Sequence, residues 1–187
     1  DIKYLGNHLF LTEAEFEVQF LRLASVNYSN NYWESQGVRG TGVWDLGWGF
    51  NVPTEELVNA YEVNDPRKEA TILFSGQNEG NGLTLPASPP LAQPYWNKKA
   101  YTTPSIRQGY GQNKNHWINI KILRYADVIL MAAEAANELG NSATASGYIE
   151  MIRARARGNN ASILPKVTAM DQSSLRDAIK QERRIEF

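Results

Sequence analysis

The clearest hydrophobic pattern in the chain lies in its C-terminal third. Small and apolar residues recur there at intervals of three and four positions, which is the period of one face of an α-helix. The first face consists of Ile122, Ala126, Ile129, Ala133 and Ala136, and the second of Ala145, Tyr148, Ile149, Ile152 and Ala156. Gly140 marks a turn between them, and Gly158 ends the second. The pattern predicts two antiparallel helices whose alanines allow close approach.

A third amphipathic stripe follows a connection that ends at Asp171. It consists of Leu175, Ala178, Ile179, Glu182 and Ile185. Glu182 interrupts an otherwise apolar face, and an unpaired buried carboxylate is costly. Arg183 and Arg184 follow Glu182 too closely to share its helix face. We therefore expect the partner of Glu182 to lie on another helix.

The periodicity is weaker before residue 118. Residues 15–20 alternate polar and apolar side chains, which predicts a half-buried strand. The capping-box spacing of Thr12 and Glu15 leaves a helix open as the alternative. Residues 54–61 predict a short helix. Residues 75–94 show no periodicity and are expected to form a long loop.

The aromatic residues divide the chain near residue 117. Of the 20 aromatic residues, 17 lie in residues 1–117, and so do all five tryptophans. Residues 118–187 are instead rich in Ala, Ile, Leu and Arg. We predict a mostly α-helical fold with few short strands, in which a loop-rich, aromatic-rich part (1–117) adjoins a helical part (118–187).

Composition excludes several classes of function. The net charge of −1 disfavours nucleic-acid binding, which normally requires a basic excess. The absence of cysteine excludes disulfides and thiol catalysis, and two histidines do not make a zinc cage. The chain contains no stretch of 18 apolar residues, so the sequence predicts no transmembrane helix. We assign no catalytic residue, no metal and no cofactor.

Three ordered motifs resemble the SusD/RagB family. An alanine-rich helix motif is followed by an "IRARA" segment and by an element that ends in "ERRIEF". Three upstream landmarks occur in the family's order. The motifs are Ile122–Gly140, Ile152–Ala156 and Leu175–Phe187, and the landmarks are Phe16–Phe20, Pro53–Tyr61 and Asp65–Arg67.

The resemblance implies a fold, a location and a partner. Tetratricopeptide-like helix pairs would support a loop-rich glycan-binding face. The protein would be a lipoprotein on the outer face of the outer membrane, anchored by a lipid outside this chain, and it would cap a SusC-like TonB-dependent transporter. It would capture oligosaccharides without hydrolysing them. We expect the chain to be the C-terminal portion of one such domain, truncated at both ends.

The candidate glycan site lies in a glycine-rich stretch between residues 30 and 50. A flat aromatic face matches the C–H face of a sugar ring, and polar side chains nearby read its hydroxyls. We predict Trp33 and Trp44 as platforms, with Tyr32 and Trp48 behind them. The predicted hydroxyl partners are Asn31, Glu34, Gln36, Arg39 and Asp45.

Core packing is the competing interpretation of every tryptophan. Trp48 is expected to be the most buried of the three in the glycine-rich stretch, and Trp96 and Trp117 are expected to pack. At the level of function, the alternative is a tetratricopeptide-type protein–protein scaffold without a small ligand. A glycosidase ranks below both, because no opposing acid accompanies Glu13, Glu15 and Glu17.

Overall fold

The structure is a computed structural model that describes residues 13–20, 31–80, 82–88, 91, 93–110, 113–114, 118–168 and 171–187. The chain forms two compact units. Of the described residues, the first unit contains those within 18–58 and 69–120, and the second contains those within 13–17, 59–68 and 121–187. Trp117, which was expected to pack, lies outside the described residues, as does Thr12.

Helices dominate the part of the chain that the structure describes. The α-helices there are α1 (Asn31–Gln36), α2 (Glu55–Ala60), α3 (Pro66–Thr71), α4 (Pro104–Tyr110), α5 (Tyr125–Glu138), α6 (Ser142–Arg157) and α7 (Gln172–Glu186). The strands are β1 (Ala14–Val18), β2 (Ile72–Phe74), β3 (Asn78–Gly80), β4 (Leu83–Thr84), β5 (Tyr95–Asn97) and β6 (Ile120–Arg124). They form three two-stranded sheets, β1–β6, β2–β5 and β3–β4. The expected mostly α fold with few short strands is confirmed.

The first unit is built around a small aromatic core. Strands β2 and β5 pair antiparallel, with Leu73 opposite Trp96. Trp96 is 1% exposed, so its expected packing role is confirmed. The core consists of Val38, Trp44, Leu46, Leu73, Leu85, Leu91, Trp96 and Tyr101. Residues 75–94 are not wholly loop, because β3 and β4 form a hairpin there. Strands this short lie below the length at which an alternating pattern can be recognised.

The second unit is the predicted helical assembly. Helices α5, α6 and α7 share a buried cluster of Ala133, Ala136, Ala145, Ile149, Leu175 and Ile179. Gly158 follows α6 with φ of 55°, a conformation that favours glycine and ends the helix. The Asp171 side chain accepts hydrogen bonds from the Ser173 and Ser174 amides, and so caps α7. The three helices are therefore confirmed.

One predicted boundary is wrong. The helical face was expected to begin at Ile122, but Ile122 lies in strand β6 and is 57% exposed. The Tyr125 amide donates a 2.7 Å hydrogen bond to the Glu13 carbonyl, at the point where the strand gives way to α5. The four-residue spacing of Ile122 and Ala126 matches a helix by coincidence. Pairing of β6 with β1 holds Ile122 in a strand instead. Residues 14–18 form the strand and not the alternative helix.

The predicted partner of Glu182 lies on other elements of the second unit. Glu182 is 3% exposed, and its carboxylate accepts hydrogen bonds from Arg67 at 2.5 Å and from Arg153 at 3.1 Å. Arg67 also donates to Asp65 at 2.8 Å, and Arg153 donates to Glu62 at 2.7 Å. Every charge in this cluster therefore has an opposite partner, which is the condition for burying it.

A second set of ion pairs continues from the first. Arg124 and Arg155 each bind both Glu13 and Glu186 at 2.5 Å. Burial acts to raise the pKa of each carboxyl, but the two guanidinium groups outweigh it, so the pKa of Glu13 and that of Glu186 both lie below the usual value. We call the two sets together the ion network: residues 13, 62, 65, 67, 124, 153, 155, 182 and 186.

Candidate functional site

The glycine loop, residues 37–50, is a doubled-back segment of the first unit. Its second half runs beside the C-terminal part of α1 and the residues that follow. The amides of Trp48 and Phe50 each donate a 2.9 Å hydrogen bond, to the carbonyls of Glu34 and Ser35. Leu46 and Gly49 donate in the same way to Val38 and Gly37, at 3.0 and 2.9 Å. These hydrogen bonds hold the backbone of residues 46–50 and so set the directions in which the Trp48 and Phe50 side chains point.

Two glycines make this close approach possible. A Cβ on Gly47 would lie 2.0 Å from the Glu34 carbonyl oxygen, and that distance is too short for any side chain. Gly49 has φ of +74°, and a Cβ there would lie 2.8 Å from the Arg39 Cβ and 2.9 Å from the Trp96 ring. The loop therefore requires glycine at both positions.

An open concavity of about 410 Å³ lies on this loop. Its lining residues are Arg39, Gly40, Asp45, Gly47, Trp48, Phe50 and Lys114. Trp48 is 53% exposed and Phe50 is 58% exposed. Their rings meet edge to face, with centroids 6.1 Å apart and planes at 85°. The pair presents an apolar surface to solvent on a backbone that is held in place by hydrogen bonds.

Three charged side chains surround this aromatic pair. Arg39 and Asp45 face each other across an isolated antiparallel bridge. The Lys114 ammonium lies 2.8 Å from the Asp45 carboxylate. Arg39 is exposed and forms no ion pair with any other residue that the structure describes. The concavity thus offers one paired cation and one guanidinium that is open to a ligand.

Both predicted platforms are buried, so the expected arrangement of the tryptophans is wrong. Trp33 is 8% exposed, and its indole N–H donates a 2.7 Å hydrogen bond to the Ile118 carbonyl. Trp44 is 5% exposed and packs in the core, with the Arg107 guanidinium 5.5 Å from its ring centre. Trp48 was expected to be the most buried in this stretch, but of the four tryptophans that the structure describes it is the one that faces solvent. The Gly47 backbone packs against Glu34 and turns the chain outward after Leu46.

The remaining predicted residues fall into different places. Gln36 is buried, and its amide oxygen accepts hydrogen bonds from Asn51 at 2.7 Å and from Asn97 at 2.8 Å, so it is not available to a ligand. Asn31 and Tyr32 are exposed on α1 but do not line the concavity. Glu34 does not line it either, and contributes its backbone carbonyl to the loop. The structure brings together Arg39, Asp45 and Trp48.

Two side chains that line the concavity, Phe50 and Lys114, were not predicted from the sequence. Phe50 had a usable signal, since it stands two positions after Trp48 with Gly49 between them. Lys114 had none, because it comes from a distant segment of the chain. Within the described ranges, no group of three or more His, Cys, Asp or Glu could hold a metal ion. In the same ranges, no helix has the length and apolar character needed to span a bilayer.

The family model described as the SusD family matches residues 12–187. The chain belongs to the SusD family. SusD-like protein P2 of Formosa agariphila is 28% identical over 95% of this SusD-family chain and 37% of its own length. SusD-like protein P25 of the same organism is 31% identical over 75% of the chain and 24% of its own length. The chain thus spans well under half the length of these relatives.

Solved structures share the fold. A SusD-like protein from Bacteroides fragilis superposes with a TM-score of 0.65 at 25% identity, covering 94% of this chain and 40% of that one. Surface glycan-binding protein A from Bacteroides uniformis gives a TM-score of 0.64 at 20% identity, covering 95% and 35%. A SusD homolog from Bacteroides thetaiotaomicron gives 0.68 at 24% identity, covering 94% and 38%.

Proposed function

We propose that this SusD-family chain is part of a cell-surface protein that binds oligosaccharides without cleaving them. The binding site is the concavity of the glycine loop. The observation that carries the proposal is the exposure of Trp48 and Phe50, both more than half open, on a backbone fixed by hydrogen bonds. A rigid aromatic surface needs no ordering when the ligand arrives, so more of the stacking energy appears as affinity.

The chemistry of the lining suits a sugar. The apolar face of a pyranose packs on the Trp48 indole, and its hydroxyls reach the charged groups at the rim of the concavity. Arg39 and Lys114 donate hydrogen bonds to the sugar hydroxyls, and the Asp45 carboxylate accepts hydrogen bonds from other hydroxyls of the sugar. The cavity volume of about 410 Å³ falls in the range of small-molecule sites and accommodates a short oligosaccharide segment.

Binding without hydrolysis is supported by the same lining. Glycoside cleavage commonly uses two carboxylates on either side of the scissile bond. Asp45 is the one carboxylate among the lining residues that the structure describes, and Lys114 holds it in an ion pair. We therefore propose that the site binds the glycan and does not catalyse its cleavage.

The location and the partner belong to the same proposal. We propose a lipid-anchored protein on the outer face of the outer membrane, which passes its glycan to a SusC-like TonB-dependent transporter. Membership of the SusD family supports this role, as does the shared fold with a protein named surface glycan-binding protein A. Nucleic acid is not a proposed partner, in keeping with the net charge of −1.

Retention on polysaccharide-containing native gels tests the proposal. The full-length protein is compared with Trp48→Ala and with Phe16→Ala, which removes an aromatic ring of similar exposure, 59%, from the second unit. Loss of a stacking platform is worth about 1–3 kcal/mol by analogy with base stacking, so Trp48→Ala weakens retention about fivefold or more and Phe16→Ala does not.

Two results would contradict the proposal. Equal retention of all three proteins would remove Trp48 from the site. Binding of the full-length protein to the transporter, with no retention by any glycan, would favour the tetratricopeptide-type scaffold instead.

A further inference from the structure

We infer that the concavity of the glycine loop selects anionic glycans, whose carboxylate or sulfate group pairs with Arg39. The inference rests on the proposed function and specifies its substrate class. It comes from the distribution of charge around Trp48, which leaves the Arg39 guanidinium without an opposite charge among the described lining residues.

The lining carries an excess of positive charge. Among the lining residues that the structure describes, Arg39 and Lys114 contribute two cations and Asp45 one anion, which leaves one positive charge in a chain whose net charge is −1. Because Lys114 already pairs with Asp45 at 2.8 Å, the unmatched charge belongs to Arg39. A guanidinium presents two parallel N–H donors that match a carboxylate or a sulfate better than a single hydroxyl.

Arg39 is also seated firmly beside the aromatic pair. The Arg39 Cβ lies against Gly49, the residue between Trp48 and Phe50. A Cβ added to Gly49 would lie 2.8 Å from the Arg39 Cβ. The Arg39 backbone is bridged to Asp45. The Arg39 side chain therefore starts from the loop that carries the aromatic platform, so a charged substituent on a stacked ring lies within reach of its guanidinium.

No amide side chain is among the lining residues that the structure describes. Gln36, Asn51 and Asn97 bond to one another, because the Gln36 amide oxygen accepts from both asparagines. The Asn113 amide donates a 3.1 Å hydrogen bond to the Gly42 carbonyl of the loop. The polar side chains on the described lining are all charged, and two of the three are cations. The concavity therefore resembles an anion site joined to an aromatic platform.

A panel of acidic and neutral polysaccharides tests the inference on the full-length protein. We expect the retained glycans to be acidic. Methyl esterification of a retained glycan removes charge from uronates alone, and desulfation removes it from sulfate esters alone. One treatment should weaken retention about tenfold, and it identifies the source of the charge. Retention should also weaken as ionic strength rises, since the site is open to solvent.

Matched variants separate Arg39 from general charge effects. Arg39→Gln should weaken binding of the acidic glycan about tenfold, whereas Arg184→Gln, which removes the same charge from an exposed position on α7, should not. If neutral glycans are retained as tightly, or if Arg39→Gln has no effect while Trp48→Ala does, the inference is overturned and the proposed function stands. If no glycan is retained, both are overturned.

Discussion

Single glycines decide which indole of the first unit faces solvent. Gly47 lets the chain pass against Glu34, and Gly49 turns it with a positive φ, so that Trp44 points into the core and Trp48 points outward. A side chain at Gly49 would meet both Arg39 and Trp96. The proposed glycan site therefore depends on the backbone at Gly47, which lines the concavity, and at Gly49, which does not.

Gly49→Ala should reduce both stability and glycan affinity. The strained φ and the crowding together cost about 1–3 kcal/mol, and relief of the clash displaces Trp48 or Arg39. Thermal unfolding and gel retention of the full-length protein measure the two effects. Gly42→Ala is the matched control, because Gly42 also has a positive φ, 58°, but has open space around it. Identical behaviour of the two variants would show that the crowding at Gly49 has no role.

Arg67→Met should strongly destabilise the protein. The Asp65 and Glu182 side chains are 1% and 3% exposed, and both would lose their shared partner. Removing one member of a buried ion pair costs about 3–5 kcal/mol. Urea unfolding measures the change. Arg176→Met, which breaks a pair with Glu138 whose side chains are both more than a third exposed, should have little effect. Equal losses from the two variants would argue against a buried network.

At the scale of elements, the contact between α5 and α6 depends on small side chains. Ala133 and Ala145 are both 0% exposed and belong to one cluster. Interiors are close-packed, so a larger residue at such a position must push the helices apart or adopt a strained rotamer.

Ala133→Leu should therefore lower the free energy of unfolding by about 1–3 kcal/mol. Ala135→Leu makes the same change two residues along α5, where the side chain is exposed, and should be close to neutral. Chemical unfolding of the full-length protein compares them. A neutral Ala133→Leu would mean that the helices are not packed as closely as described.

The sequence predicts these elements unequally well. Helices α5, α6 and α7 follow from apolar periodicity, because each buries one continuous face. The start of α5 does not, because pairing of β6 with β1 is a contact across about a hundred residues. The orientation of Trp48 also eludes the pattern, since it depends on the approach of Gly47 to Glu34. Lys114 reaches the site through tertiary folding alone.

At the scale of the whole molecule, the family motifs and the ligand site are separate. Asp65, Arg67, Glu182 and Glu186 belong to motifs that carry the family resemblance, and all four take part in the ion network. The residues that line the concavity lie outside those motifs. Family membership therefore specifies the fold, whereas we propose that the glycine loop specifies the ligand.

The ion network also predicts how stability depends on pH. The pKa values of Glu13 and Glu186 are lower in the folded protein than their usual value of 4.5. Their contribution is fully present above that value and is lost as the pH falls through the lowered folded values. Thermal unfolding below about pH 5 should therefore show a falling midpoint.

Replacing one member of the network should reduce this dependence. Glu13→Gln should show a smaller fall than the unaltered protein over the same pH range, because it has lost one of the titrating groups. Glu15→Gln, which changes an exposed residue of the adjoining strand β1, should leave the fall unchanged. A parallel fall in all three proteins would place the acid sensitivity elsewhere.

Fluorine NMR of the full-length protein labelled with 5-fluorotryptophan can show whether Trp48 contacts the glycan. The resonance that disappears in Trp48→Phe identifies Trp48, and the buried Trp33, Trp44 and Trp96 are identified in the same way. On saturation with a retained glycan, we expect the Trp48 resonance to shift and those of the three buried indoles to stay in place. A Trp48 resonance that does not move while glycan is bound would exclude Trp48 from the site.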